Sequence, residues 1–325
     1  MARHQPWRLT LRWHLIWLFT GALLAACVTT LQHTPAVQKT PAVAARTPIN
    51  SPTRQPPISA LPRPAPAWVL GAMPLPLRPD GFGVVRSTPP ALVNRRLTAI
   101  DQLPPPTSTS FVSTISPVPP RVLARSSWKP TCPVQPGQLR YLTMSFRGFD
   151  ARAHTGEMLV NADVAQAVVD VFKRLFAAGF PLEEMRITPE AALNLPPTGD
   201  GNNTEAFVCR QARGQTHWPA HAYGLAIDLN PFDNPYVQGD LVRPELASSY
   251  LNRGWVRSGM ALEGGPAVTA FESVGWTWGG RWPGPVNFMY FSAKGAEALV
   301  SGDTSWNSYR HSQGPQPSRS PSRSR

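Results

Sequence analysis

The sequence predicts an α+β domain, a small antiparallel sheet with packed helices, over residues 128–302. Three observations point there: short β-type runs alternate with few helical ones, proline concentrates outside this segment, and the segment is nearly neutral. Of the 38 prolines, 20 fall between Val28 and Ser126. From Trp128 to Gly302, 14 Lys and Arg face 16 Asp and Glu, so the chain's net charge of +12 resides in its flanks. A nucleic-acid-binding domain needs its basic stripe on the folded surface, so no nucleic-acid partner is expected. Basic flanks require only a nonspecific anionic surface such as a membrane or wall polymer.

Residues 1–27 read as a leader. Arg3, Arg8 and Arg12 precede the apolar run Leu15–Leu24, which is too short to span a membrane but fits a signal peptide. The run ends in Leu24-Ala25-Ala26-Cys27, which looks like a bacterial lipobox with Cys27 as the lipidated residue and membrane anchor. The alternative is an ordinary signal cut beside an incidental cysteine. Residues 28–127 are expected to form a Pro-rich disordered tether, because proline removes amide donors and fixes φ. The apolar patch Ala67–Leu70 is its candidate contact with the domain. Residues 303–325, ending in Ser-Arg repeats, are expected to be a disordered basic tail.

Within the domain, Leu139–Phe146 alternates as a strand. Asn161-Ala-Asp163 can cap a helix whose Val164, Val168, Val171, Phe172 and Leu175 share one face, ending near Gly179 with Pro181 beyond. Further strands are expected at Glu205–Arg210, Leu225–Leu229 and Asn287–Ser292, and a short helix at Pro266–Val274. An exported protein meets oxidising conditions, so Cys132 and Cys209 are a candidate disulfide; two buried free thiols are the alternative. The Trp276, Trp278 and Trp282 group is expected to be core first and cleft wall second.

The chemistry concentrates in His217-Trp-Pro-Ala-His221-Ala-Tyr-Gly224-Leu-Ala-Ile-Asp228. Imidazole and carboxylate are both good zinc ligands. In one straight strand, positions seven apart point to opposite faces, but Gly224 can turn the chain and bring His221 and Asp228 together. A core histidine beside a turn aspartate would produce the same spacing. The segment resembles the His-x-x-Gly-x-Ala-x-Asp motif of the D-alanyl-D-alanine carboxypeptidase (VanY-like) zinc peptidases, which cut peptidoglycan peptides. Gly148-Phe149-Asp150, His154-Thr-Gly156-Glu157, Gly179-Phe180-Pro181-Leu182, Asn202-Asn203-Thr204, Phe207-Val-Cys209-Arg210, Asn234-Pro235-Tyr236-Val237 and Gly275–Gly280 are similar to the same family, in its order.

The resemblance implies the compact fold shared with Hedgehog-like domains, zinc as cofactor and peptidoglycan stem peptides as partners. It makes His221 and Asp228 metal ligands, and Arg210 the group that steadies a substrate carboxylate or oxyanion. It also exposes two departures. Tyr290 stands where the family has its third ligand, a histidine, and Asn287 where it has an acidic acid/base. Pro219 replaces a serine two residues before the first ligand. An amide has no basic lone pair near neutral pH, and a phenol with an ordinary pKa near 10 must deprotonate before it binds metal strongly. Hydrolysis is therefore expected to be lost or reduced, unless His217 or His154 supplies a nitrogen instead.

Overall fold

The structure is a computed structural model and describes residues 68–211 and 216–296. Its first segment is not a tether. Helix α1 (Pro90–Val93), strand β1 (Ser113–Pro117) and helix α2 (Pro120–Ala124) all precede residue 128. Proline does not oppose these elements, because Pro90 and Pro120 open their helices, where a missing N–H costs nothing. Pro117 closes an edge strand. The segment is tied down by buried groups. Leu92 and Val122 are buried, Trp68 Nε1 donates to Asp200 at 3.0 Å, and Arg95 forks onto Glu183 through two 2.6 Å contacts. Arg125 makes a second fork, onto Glu157. The tether expected at 28–127 is thus corrected over 68–127. Expectations about residues 1–67, Cys27 included, and about 303–325 lie outside the described residues.

The main sheet is antiparallel in the order β1-β2-β3, with β2 at Leu139–Arg147 and β3 at Ala153–Asn161. Asn161 then accepts the Asp163 amide at 3.1 Å, and the chain passes through one 3-10 turn into α3 (Ala165–Ala177). Helix α3 buries Val168, Val171, Phe172 and Leu175 against β2, as the helical spacing predicts. Each such side chain contributes roughly 1.5–3 kcal/mol. Two short strands, β4 (Glu184–Met185) and β5 (Asn203–Thr204), pair in parallel.

The predicted strand at 205–210 does not form a ladder. Glu205 bridges Asp228, Phe207 donates to the Leu159 carbonyl, Val208 to the His221 carbonyl and Cys209 to Ser127 Oγ. Its amides go to four separate stretches of the chain, so no single strand partners it. The strand expected at 225–229 is β6 (Ala226–Asp228). Next come β7 (Tyr236–Gln238), β8 (Leu241–Arg243), α4 (Pro266–Glu272) and β9 (Trp276–Trp278). The strand expected at 287–292 is two strands, β10 (Val286–Asn287) and β11 (Tyr290–Ala293). The reason is that β10 pairs with β7, whereas β11 lies between β6 and β9. The chain changes sheets at Phe288 and Met289, whose backbones bond Pro235 and Leu229. Trp276 and Trp278 are core and Trp282 packs beside them.

A buried polar cluster locks the loops under these small sheets. Asn234 binds the Leu229 and Gly259 carbonyls and accepts from Ala261 and Arg253. Asn202 Nδ2 donates to Glu183 and, at 2.9 Å, to Asp233. Burial, reinforced by the Glu183 charge, pushes the Asp233 pKa up to about 7. The unfolded chain would release this proton near pH 4, so Asp233 adds stability at acid pH that is lost as pH rises through about 7. We expect Asp233→Asn to remove about 1 kcal/mol of the difference in unfolding free energy between pH 6 and pH 8. Denaturant titrations at both pH values measure it, and an unchanged difference would reject the buried proton.

Candidate functional site

A cleft of about 580 Å³ opens beside β6 and β8. Among its lining residues are Glu205, Arg210, His221, Asp228 and Arg243. His221 sits in a 3-10 turn, Ala220–Tyr223, that closes on Gly224 with φ +68°. A Cβ at Gly224 would also stand 2.6 Å from the Asn161 amide, so only glycine fits there. The turn reverses the side-chain alternation and brings His221 Nε2 to 3.4 Å from Asp228 Oδ1. His221 Nδ1 meets the Ala206 carbonyl at 2.7 Å, which fixes the ring. Burial disfavours the imidazolium, but Asp228, the Ala206 carbonyl and Glu205 outweigh it, and the His221 pKa is raised. The Glu205 carboxyl is also pushed up, by burial and then by the Asp228 charge, although Thr188 donates to it.

The strand register decides where the two departing residues lie. Tyr290 in β11 faces Asp228 in β6, and its ring lies 5.5 Å from the His221 ring, edge to face. The Tyr290 position therefore adjoins both His221 and Asp228. Asn287 in β10 pairs with Tyr236 in β7. Asn287 Oδ1 is buried and accepts no hydrogen bond among the described residues. Arg210 is exposed and lines the same cleft. Neither His154 nor His217 lines it. His154 is occupied elsewhere, with Nδ1 2.8 Å from Asp101 and Nε2 3.0 Å from Asp150. Cys132 and Cys209 form a disulfide with Cα atoms 5.9 Å apart, just ahead of Arg210.

These donors do not fit the zinc site that the motif implies. Of the set the motif implies, His221 and Asp228 stand together, while the neighbouring residues are the phenol Tyr290 and the amide Asn287 rather than a histidine and a carboxylate. Glu205 is near, but its Oε2 is already taken by Thr188 and Asn203. Among the described residues, no three His, Cys, Asp or Glu side chains stand together as a metal-holding group.

Sequence reasoning passed over Arg243, Glu205 and Phe82 as cleft residues. Arg243 and Phe82 lie outside any motif, and Glu205 was read only as the start of a strand. Residues 213–293 match the sequence profile of D-alanyl-D-alanine carboxypeptidase, about a quarter of the chain's length. The match includes His221, Asp228, Asn287 and Tyr290 and supports a D-alanyl-D-alanine carboxypeptidase-like domain. No curated protein and no solved structure matches the chain.

Proposed function

We propose that this chain is an envelope protein whose carboxypeptidase-like domain binds peptidoglycan stem peptides in the 580 Å³ cleft with hydrolysis lost or strongly reduced. The observation that carries the reading is the residue pair Asn287 and Tyr290 at the acid/base and third-ligand positions, beside an otherwise assembled His221–Asp228 pair. Binding and hydrolysis make different demands. A peptide needs a concave surface, hydrogen-bond partners and a cation for its terminal carboxylate, and the cleft walls offer these through Arg210. Hydrolysis also needs a group that accepts a proton from water and returns it to the leaving amine. Asn287 cannot take up that proton. Export and anchoring through a lipidated Cys27 belong to the same proposal and rest on the leader sequence.

The test is the zinc content of the purified chain after zinc loading and desalting, together with D-alanine release from a stem pentapeptide. We expect far less than one zinc per chain and no release above background. Asn287→Asp combined with Tyr290→His restores the family's donor set next to His221 and Asp228, and is expected to bring zinc to about one per chain. Wild-type protein that retains a full zinc and releases D-alanine would overturn the loss of hydrolysis. Failure of the wild type to bind the pentapeptide at millimolar concentration would overturn peptide recognition.

A further inference from the structure

A second cavity, of about 340 Å³, is lined by Asn94, Arg95, Arg96, Arg257 and Ser258 and shares no lining residue with the peptide cleft. Its arginines outnumber the carboxylates that answer them. Arg95 is paired with Glu183. Among the described residues Arg96 and Arg257 form no ion pair, and neither does Arg253, whose charge acts on that of Arg257. Arg257 donates to the Val93 carbonyl at 2.7 Å and to the Ser249 carbonyl at 2.8 Å. Its guanidinium carbon lies 3.5 Å from the Tyr250 ring centre and 4.3 Å from that of Trp255. Carbonyls and rings fix the fork without cancelling its charge.

Burial lowers the Arg257 pKa against the pull of Tyr250 and Asp233. It brings Arg253 down to about 10 against Asp233, and the Arg257 charge adds to the fall. Asp233 itself titrates at about 7, so it is a weak counter-charge near neutral pH. Two buried donors also stay unused: Arg95 Nη1 and Arg257 Nε have no acceptor among the described residues. Buried donors are seldom left so, and both belong to arginines that line this cavity. Arg96 is exposed and adds a guanidinium with no partner among the described residues; Asn94 and Ser258 add an exposed amide and hydroxyl. A phosphate ester brings up to about two negative charges and three acceptor oxygens, which suits donors arriving from separate side chains better than the two oxygens of a carboxylate.

We propose that Arg96 and Arg257, with Ser258, form a binding site for a phosphate ester, separate from the peptide cleft. The ester is either the headgroup of an anionic phospholipid or a soluble phosphate compound, and the recognising chemistry is the same for both.

The experiment uses the full chain and two probes at constant ionic strength: inorganic phosphate, and dihexanoyl phosphatidylglycerol below its micelle concentration. The short-chain lipid presents a headgroup without a charged membrane surface, which would attract the basic flanks. Calorimetric titration should show the wild type binding at least one probe. Arg96→Gln should weaken that binding about tenfold or more, whereas Arg121→Gln, at an exposed arginine of α2, should leave it unchanged. Circular dichroism verifies that both variants fold. The probe should also shift the Arg257 Nε resonance, assigned by its loss in Arg257→Lys. Tighter binding of the lipid identifies a headgroup as the ligand, and tighter binding of phosphate a soluble compound. No binding of either probe at millimolar concentration, equal binding by wild type and folded Arg96→Gln, or an equal loss in Arg121→Gln overturns the site. None of these results bears on peptide binding in the cleft.

Discussion

Arg95→Ala is expected to destabilise the protein by about 3–5 kcal/mol, the cost of leaving a buried charge without its partner. The Arg95 and Glu183 side chains are 0% and 1% exposed, and both of their contacts are 2.6 Å long. Asn202 donates to Glu183 as well, but an amide cannot compensate a full buried charge. Arg95 also lies 4.4 Å from the Phe232 ring centre, so truncation removes packing along with charge. Glu183→Gln in the Arg95→Ala background should recover a substantial part of the loss, because it removes the stranded carboxylate. Denaturant unfolding of the single variants and the double variant measures both effects. A loss below about 1 kcal/mol would mean that residues 68–127 are not integral to the domain. For the same reason, a chain beginning at residue 128 is expected to fold poorly.

Reducing the Cys132–Cys209 disulfide should cost about 4 kcal/mol, since the two cysteines lie 77 positions apart and the bond limits the freedom of the unfolded chain. The bond joins the segment before β2 to the one that carries Val208 and Arg210. The Val208 amide holds the His221 carbonyl, so this crosslink also steadies the motif turn. Unfolding of the Cys132→Ala/Cys209→Ala variant tests the magnitude. A stability within about 1 kcal/mol of wild type would show that packing of Cys132 and Cys209 with Leu139 and Phe207 already holds the two segments together.

Much of this protein was legible in its sequence because the signals were local. Helical spacing from Val164 to Leu175 places α3, since residues on one helix face lie three or four positions apart whatever surrounds them. The spacing of His221, Gly224 and Asp228 held the means of bringing a histidine to a carboxylate, because one left-handed glycine makes that turn. The departures at Asn287 and Tyr290 were equally readable, because they lie in one short stretch.

What escaped the sequence depends on distant partners. Proline content argued for a tether across 28–127, yet Arg95 meets Glu183 across 88 positions and β1 pairs with β2. A single apolar run from Asn287 to Ser292 divides because each half finds a different sheet. Arg243 carries no motif; only the register of β8 against β7 and the approach of Phe82 from 161 positions earlier bring it to the cleft. The sequence by itself determined the fold class, helix α3, the motif turn and the residue types at positions 287 and 290, all properties of short stretches of chain. The tertiary structure alone decided the extent of the domain and the second cation of the cleft, because pairing between residues far apart in sequence leaves no periodicity or local spacing to read.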